Sequence, residues 1–119
     1  MNSSNSSDSY IPQKGDIVWI DFDPQSGREQ AGRRPAIVIS SNIYNRKVRL
    51  ALFCPITTKV KGYRYEVAIP EGLAVSGVIL ADQVKSFDWQ TRRAEFICKT
   101  PDDLVIQVIS ALERLLQEF

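Results

Sequence analysis

A small β-barrel closed by a C-terminal amphipathic helix is the fold this sequence predicts, and three observations predict it. Short apolar runs rich in β-branched and aromatic residues recur at close spacing between turns that contain Gly or Pro, as in compact barrels and sandwiches. Behind them the period changes: Leu104, Val105, Val108, Ile109, Leu112, Leu115 and Leu116 repeat at helical spacing on one face. The chain has 119 residues, enough for one core and too few for two. One domain over residues 11–119 is expected, and the Ser/Asn-rich residues 1–10 read as a disordered tail.

The elements follow in order. Lys14-Gly15-Asp16 is a turn into a strand from Ile17 to Asp23, stopped by Pro24. Gln25–Arg34 is polar and contains glycines, so it reads as a loop of about ten residues, long enough to suggest function. Pro35 starts the next strand, Ala36–Ser40; Asn42–Lys47 is a turn, and Val48–Pro55 is another apolar strand. Thr57–Arg64 forms a second basic loop before Tyr65–Ile69, and Pro70–Ser76 turns the chain into Gly77–Leu80 and Ala81–Val84. Glu95–Cys98 makes a last short strand. Thr100-Pro101-Asp102-Asp103 then starts the helix, with Thr100 as N-cap, Pro101 at the first helical position and two acids in the first turn.

Composition narrows the chemistry. No apolar run approaches the length of a membrane span, and the N-terminal residues lack the basic and apolar regions of a signal peptide. A cytoplasmic protein is expected, with Cys54 and Cys98 as reduced core residues, because neither has metal-type spacing. Histidine is absent, which removes the commonest acid–base residue and the commonest metal ligand. Catalysis without a metal or cofactor would fall to Arg, Lys, Glu, Asp, Thr, Ser or Tyr.

The net charge of +1 is unevenly spread. Between Gln30 and Tyr65 there is no acidic residue, while Arg33, Arg34, Arg46, Lys47, Arg49, Lys59, Lys61 and Arg64 all fall there. If these side chains converge, they form a positive patch suited to a phosphate backbone; if not, they are separate solvated faces. Two loops hold the reactive types. The first carries Arg28, Glu29, Gln30, Arg33 and Arg34; the second carries Thr57, Thr58, Lys59 and Lys61. Pro35 biases Arg34 toward an extended backbone. There its planar fork can meet a phosphate, or it can pair with Glu29. Trp19, Phe22, Tyr63 and Trp89 are candidates for stacking on bases, although packing is the better reading of both tryptophans.

The runs GDIVWIDFDP, EQAGRRPAIVIS, PITTKVKGY and LADQVKSFDW resemble the signature stretches of the MazF/PemK/Kid toxin family, in that family's order. The resemblance runs from about Tyr10 to the C-terminal helix. It implies an SH3-like barrel of the CcdB/PemK type and a homodimer. It also implies the toxin of a type II toxin–antitoxin system, a metal-independent endoribonuclease acting on single-stranded RNA. Cleavage would leave a 2′,3′-cyclic phosphate and a 5′-hydroxyl, because the substrate's own 2′-hydroxyl attacks the adjacent phosphate.

By this resemblance the catalytic residues are Arg34, Thr57 and Glu29. An arginine stays charged, so Arg34 is expected to stabilise the anionic phosphorane and to be able to donate a proton. Thr57 would hydrogen-bond a non-bridging phosphate oxygen. Glu29 would serve as base or orient Arg34. Arg28, Gln30, Arg33, Thr58, Lys59 and Lys61 are the expected RNA-binding residues, the cations supplying salt-dependent affinity. Arg33 departs from family members that carry histidine there. The expected partner is a cognate acidic antitoxin of the MazE kind, whose flexible tail would lie across the basic cleft. The alternatives are a CcdB-like inhibitor of DNA gyrase and a barrel that binds nucleic acid without chemistry.

Overall fold

The computed structural model describes residues 10–22 and 32–118. Among the described residues there are seven strands and two helices: β1 (Asp16–Phe22), β2 (Gly32–Val38), α1 (Asn42–Val48), β3 (Leu50–Thr57), β4 (Glu66–Ala68), β5 (Val78–Leu80), β6 (Lys85–Asp88), β7 (Glu95–Lys99) and α2 (Asp102–Leu116). A 3₁₀ turn over Ala81–Gln83 joins β5 to β6. The strands form one antiparallel sheet in the order β4-β5-β3-β2-β1-β7, with β6 also on β3. Among the described residues β4 and β7 end the sheet and do not pair with each other, so the sheet is curved but open.

Strand β3 organises it. One edge pairs with β2 from Ala36↔Pro55 to Val38↔Phe53. The other edge serves two partners in turn, β6 along Leu50–Phe53 and β5 along Ile56–Thr57. Alternation along β1 explains why both faces of the sheet are covered. Val18, Ile20 and Phe22 join Ala36, Val38, Phe53, Phe87 and Trp89 in one cluster. Ile17 points the other way, with Ile37, Cys54, Ile56 and Ile79, into a cluster closed by Leu104, Val105, Val108 and Ala111 of α2.

Several expectations need correction. Asn42–Lys47 is not a turn but most of helix α1, capped by Ser41, whose Oγ accepts from the Tyr44 N–H, and ended by Arg49 at φ 69°. No apolar stripe marks this helix, because the residue it buries is Asn45. The Asn45 amide donates to Pro12 O (2.8 Å) and Ser40 O (3.2 Å), and its backbone carbonyl accepts the Trp89 indole N–H (3.0 Å). Strand β2 starts at Gly32, three residues before Pro35. Up to Pro35 this strand pairs with β1 alone, since its pairing with β3 begins at Ala36, so one edge needs no donor there. Strand β3 runs on to Thr57, which therefore ends a strand instead of opening a loop.

Helix α2 takes Pro101 as its N-cap, with no side-chain cap. Thr100 instead donates its hydroxyl to Gly15 O at 2.7 Å, tying the helix start to the β1 turn. Leu116 is 72% exposed and leaves the buried face, where Ala111 takes part. Residues 1–9 of the expected tail 1–10 lie outside the described residues, but its last residue, Tyr10, is not a free tail: it is half-buried, donating its hydroxyl to the buried Asp16 at 2.7 Å and meeting Phe96 edge-on. Among the described residues no helix is long and apolar enough to cross a membrane.

Candidate active site

The site begins where β2 and β3 run side by side. Residues on one face of a strand recur every second position, so Arg34 shares its face of β2 with Ala36 and Val38, and Thr57 shares its face of β3 with Phe53 and Pro55. The pairs Val38↔Phe53 and Ala36↔Pro55 are directly opposed. The pairing stops there, with Arg34 two residues beyond it on β2 and Thr57 two residues beyond it on β3, where β3 pairs with β5 instead. A cation and a hydroxyl far apart in sequence thus flank the same end of the β2–β3 ladder.

Thr57 is held tightly. It is 6% exposed, and its Oγ1 accepts the Lys59 N–H at 3.1 Å. That bond occupies an acceptor site and leaves the hydroxyl proton to be donated. Gly77 backs it: a Cβ there would sit 2.2 Å from the Thr57 carbonyl oxygen, and its φ of +116° already excludes other residues.

Next to Thr57 opens a cavity of about 450 Å³. Lys59, Lys61 and Tyr63 line it from the second basic loop, Leu80 from the end of β5, and Asp82 and Gln83 from the turn that follows. Glu66 shapes the loop by accepting the backbone N–H groups of Lys61 (2.9 Å) and Gly62 (2.8 Å). Tyr63 donates its hydroxyl to Asp82 Oδ1 at 2.8 Å. Burial first, and that carboxylate second, push the Tyr63 phenol well above its ordinary value, so it stays a donor.

The predicted residues do not all meet here. Thr57, Lys59 and Lys61 do, with Thr58 exposed beside them and Arg34 one strand away. Arg28, Glu29 and Gln30 lie outside the described residues. Arg33 belongs to the opposite face of β2, where its guanidinium binds Asp21 (3.0 Å), Glu95 (3.1 Å) and the Arg93 carbonyl (2.9 Å). Nor does the basic block converge: Arg64 pairs with Glu118 at 2.6 Å, and Arg49 lies over the Trp89 ring. Of the aromatic candidates, Phe22 and Trp89 are core residues, Trp19 is 41% exposed on the sheet, and Tyr63 alone lines the cavity.

Sequence reasoning missed Glu66, Asp82, Gln83 and Gly77. Asp82 and Gln83 stood inside LADQVKSFDW and were passed over as part of a strand. A glycine immediately before the three apolar residues Val78–Leu80 was the available signal for close backbone approach.

The Arg33 cluster carries its own prediction. The Arg93 hydrogen bond, with help from Arg33, holds the Asp21 carboxyl below its ordinary value of 3.8. A depressed carboxylate stabilises the fold above its unfolded pKa and loses that contribution as pH falls through the folded value. Asp21→Asn is therefore expected to lower Tm at pH 7 and to have no effect once pH is below the folded value. High salt should shrink the difference, since these side chains are partly solvated. Melting curves from pH 2 to 7 test it, and a deficit that does not change across that range would refute it.

A family model described as the PemK-like, MazF-like toxin of type II toxin–antitoxin systems matches residues 13–116. The chain belongs to the PemK/MazF toxin family. It is 52% identical over 85 residues to the endoribonuclease toxin MazF of Escherichia coli K12, covering 71% of this chain and 76% of that one. It is 34% identical over 111 residues to the endoribonuclease toxin ChpB of the same strain, covering 88% and 94%. Among solved structures it is similar to MazF of Deinococcus radiodurans, with a TM-score of 0.86 and 47% identity over 91% of this chain and 98% of that one. A MazE–MazF complex from that organism matches with a TM-score of 0.82 and 47% identity, covering 91% and 97%. The mainly β fold with two helices is thus the PemK/MazF fold, and both Arg34 and Thr57 lie within the matched residues.

Proposed function

We propose that this PemK/MazF family member is an endoribonuclease toxin that cuts single-stranded RNA by in-line attack of the 2′-hydroxyl on the adjacent phosphate. The observation that carries the reading is that Arg34 and Thr57 flank the same end of the β2–β3 ladder in a chain 52% identical, over 85 residues, to an endoribonuclease toxin. In this reaction the 2′-oxygen-to-phosphorus bond forms and the bond from phosphorus to the 5′-oxygen breaks. The 2′-hydroxyl loses its proton to a base, and the departing 5′-oxygen gains one. Arg34 stabilises the dianionic phosphorane between these events and can supply the proton to the leaving oxygen. Thr57, whose oxygen already accepts the Lys59 N–H, donates to a non-bridging phosphate oxygen. Glu29 is the proposed base, or the group that orients Arg34. Lys59 and Lys61 hold the flanking phosphates, with Arg28, Gln30 and Thr58 beside them. Arg33 acts less directly, because its guanidinium is taken up by Asp21 and Glu95.

The same reading makes the toxin a cytoplasmic homodimer, neutralised by an acidic MazE-like antitoxin whose tail competes with RNA for the lysines. The SH3-like barrel is proposed as well. Its support is the division of β3 between β6 and β5, which bends one strand through two parts of the sheet as the corner of a small barrel requires.

The test is incubation of the purified protein with a long mixed-sequence RNA in EDTA, followed by mapping of the new ends. Discrete cuts leaving cyclic phosphate, abolished by 2′-deoxy sugar at the cut site, are the expected result. Intact RNA across a wide range of sequences would defeat the ribonuclease reading and move gyrase inhibition or simple RNA binding forward.

A further inference from the structure

Strand β2 begins with support on one side only. From Gly32 to Pro35 it pairs with β1, and its pairing with β3 starts at Ala36. A strand end bonded on one side opens more readily than one held on both. Arg34 lies in this stretch. On the sheet face opposite Arg34 stands the cross-strand pair Asp21↔Arg33. Asp21 Oδ1 accepts from Arg33 (3.0 Å) and from Arg93 (3.1 Å), while Oδ2 accepts from Arg93 Nε at 2.8 Å. The Asp21 N–H donates to the Arg92 carbonyl (3.0 Å), and the Arg92 guanidinium returns a bond to the Asp21 carbonyl (3.2 Å). Arg33 reaches on to Glu95 and to the Arg93 carbonyl. The turn on which these bonds converge is well braced. Asp88 Oδ1 accepts the N–H groups of Gln90 (3.0 Å) and Thr91 (2.9 Å), and the Arg92 N–H donates to Asp88 O at 3.1 Å. Arg93 has a φ of 57°, a left-handed conformation that a residue with a Cβ keeps only where its surroundings hold it. Its bonds to Asp21 are such a hold.

We propose that Asp21 is a positioning residue for RNA cleavage: through Arg33 and Arg93 it ties the start of β2 to the β6–β7 turn and fixes the strand end that carries Arg34. The clamp supplies the hold that a second neighbouring strand would give. The inference rests on the RNA-cleaving reading and adds to it a residue on the sheet face away from Arg34. It also gives Arg33 a duty other than holding RNA, and the two duties differ in sign. Were Arg33 a phosphate-binding residue, removal of Asp21 would free its guanidinium and tighten RNA binding. With the clamp positioning Arg34, removal of Asp21 leaves binding nearly unchanged and slows the chemical step. A small misplacement of a reacting group costs up to about a hundredfold in rate.

The experiment is a double-mutant cycle between Asp21→Asn and Arg34→Ala. It is read by single-turnover cleavage of a defined RNA, at a temperature below the melting point of every variant. Asp21→Asn keeps the shape of the side chain and removes its charge. With Arg34 present, it is expected to lower the maximal rate by roughly tenfold to a hundredfold and to change the half-saturating protein concentration by less than about twofold. In the Arg34→Ala background it is expected to cost less than about threefold, because no guanidinium remains to be misplaced. Arg93→Gly carries the same expectation should Asp21→Asn fail to fold. It removes two bonds to Asp21 and suits the left-handed backbone. An undiminished cost in the Arg34→Ala background would show that Asp21 does not act through Arg34, and would overturn the proposal. So would tighter RNA binding by Asp21→Asn, or an unchanged rate in the folded variant; each of these leaves the ribonuclease reading intact. A wild type that cuts no RNA overturns both.

Discussion

Arg34→Ala is expected to lower the rate of RNA cleavage by about a hundred- to a thousand-fold, the usual cost of one donor aimed at transition-state charge. The expectation follows from position and from charge type. Arg34 sits on a strand rather than a free loop, and it lies with Thr57 beyond the same end of the β2–β3 ladder. A strand residue presents its side chain with little freedom, so its donors need not be reorganised as the phosphorane forms. Arg34→Lys keeps the charge but loses the planar fork that meets two phosphate oxygens together, so it should recover only part of the rate. Single-turnover cleavage of a defined RNA, with circular dichroism as the check on folding, makes the measurement. A folded Arg34→Ala protein cutting within tenfold of the wild-type rate would remove Arg34 from the chemistry.

Gly77→Ala should be the most damaging glycine-to-alanine substitution among the described residues. The added methyl would lie 2.2 Å from the Thr57 carbonyl oxygen and 2.9 Å from its carbon, and both atoms are backbone. Neither can move without dragging the end of β3. Overpacking of this kind costs about 1–3 kcal/mol, and the φ of +116° adds strain of about 1–2 kcal/mol for any residue with a Cβ. A loss of about 3 kcal/mol lowers Tm by roughly 10–20 °C in a domain of this size. Gly72→Ala is the matched control, with a φ of +99° and nothing within 4 Å of the added atom. It should cost only the strain of about 1 kcal/mol. Where Gly77→Ala remains folded, cleavage should also fall, because Thr57 is displaced. Equal melting temperatures for the two variants would show that β3 yields at Thr57 and that the contact is soft.

The chain's own pattern determined most of the fold. Short apolar runs rich in β-branched and aromatic residues placed β1, β3, β4, β5 and β7 within a few residues, and the period-3.6 stripe of α2 marked Leu104, Val105 and Val108, all of which are buried. Such signals are legible because they report burial of many side chains on one face, an average that single errors do not upset. The family was legible too, since four short runs in order carry far more information than any one of them. Arg34 and Thr57 were named from those runs, and they lie beyond the same end of the β2–β3 ladder.

Only the tertiary structure decided the rest. Helix α1 escaped notice because it is pinned by hydrogen bonds of Asn45 to Pro12, Ser40 and Trp89, partners remote in sequence or otherwise unremarkable. Thr100 looked like a cap, yet its hydroxyl went to Gly15 O, 85 positions away. Charge misled in the same manner. Eight cations without an intervening acid read as one basic patch, but folding set Arg33 against Asp21, Arg64 against Glu118, and Asp82 among the lysines. Local periodicity follows from what each residue prefers beside its neighbours. Capping choices, ion pairs and the acceptor in the cavity depend on which distant residues the sheet brings within three ångströms, and that is a property of the packed chain.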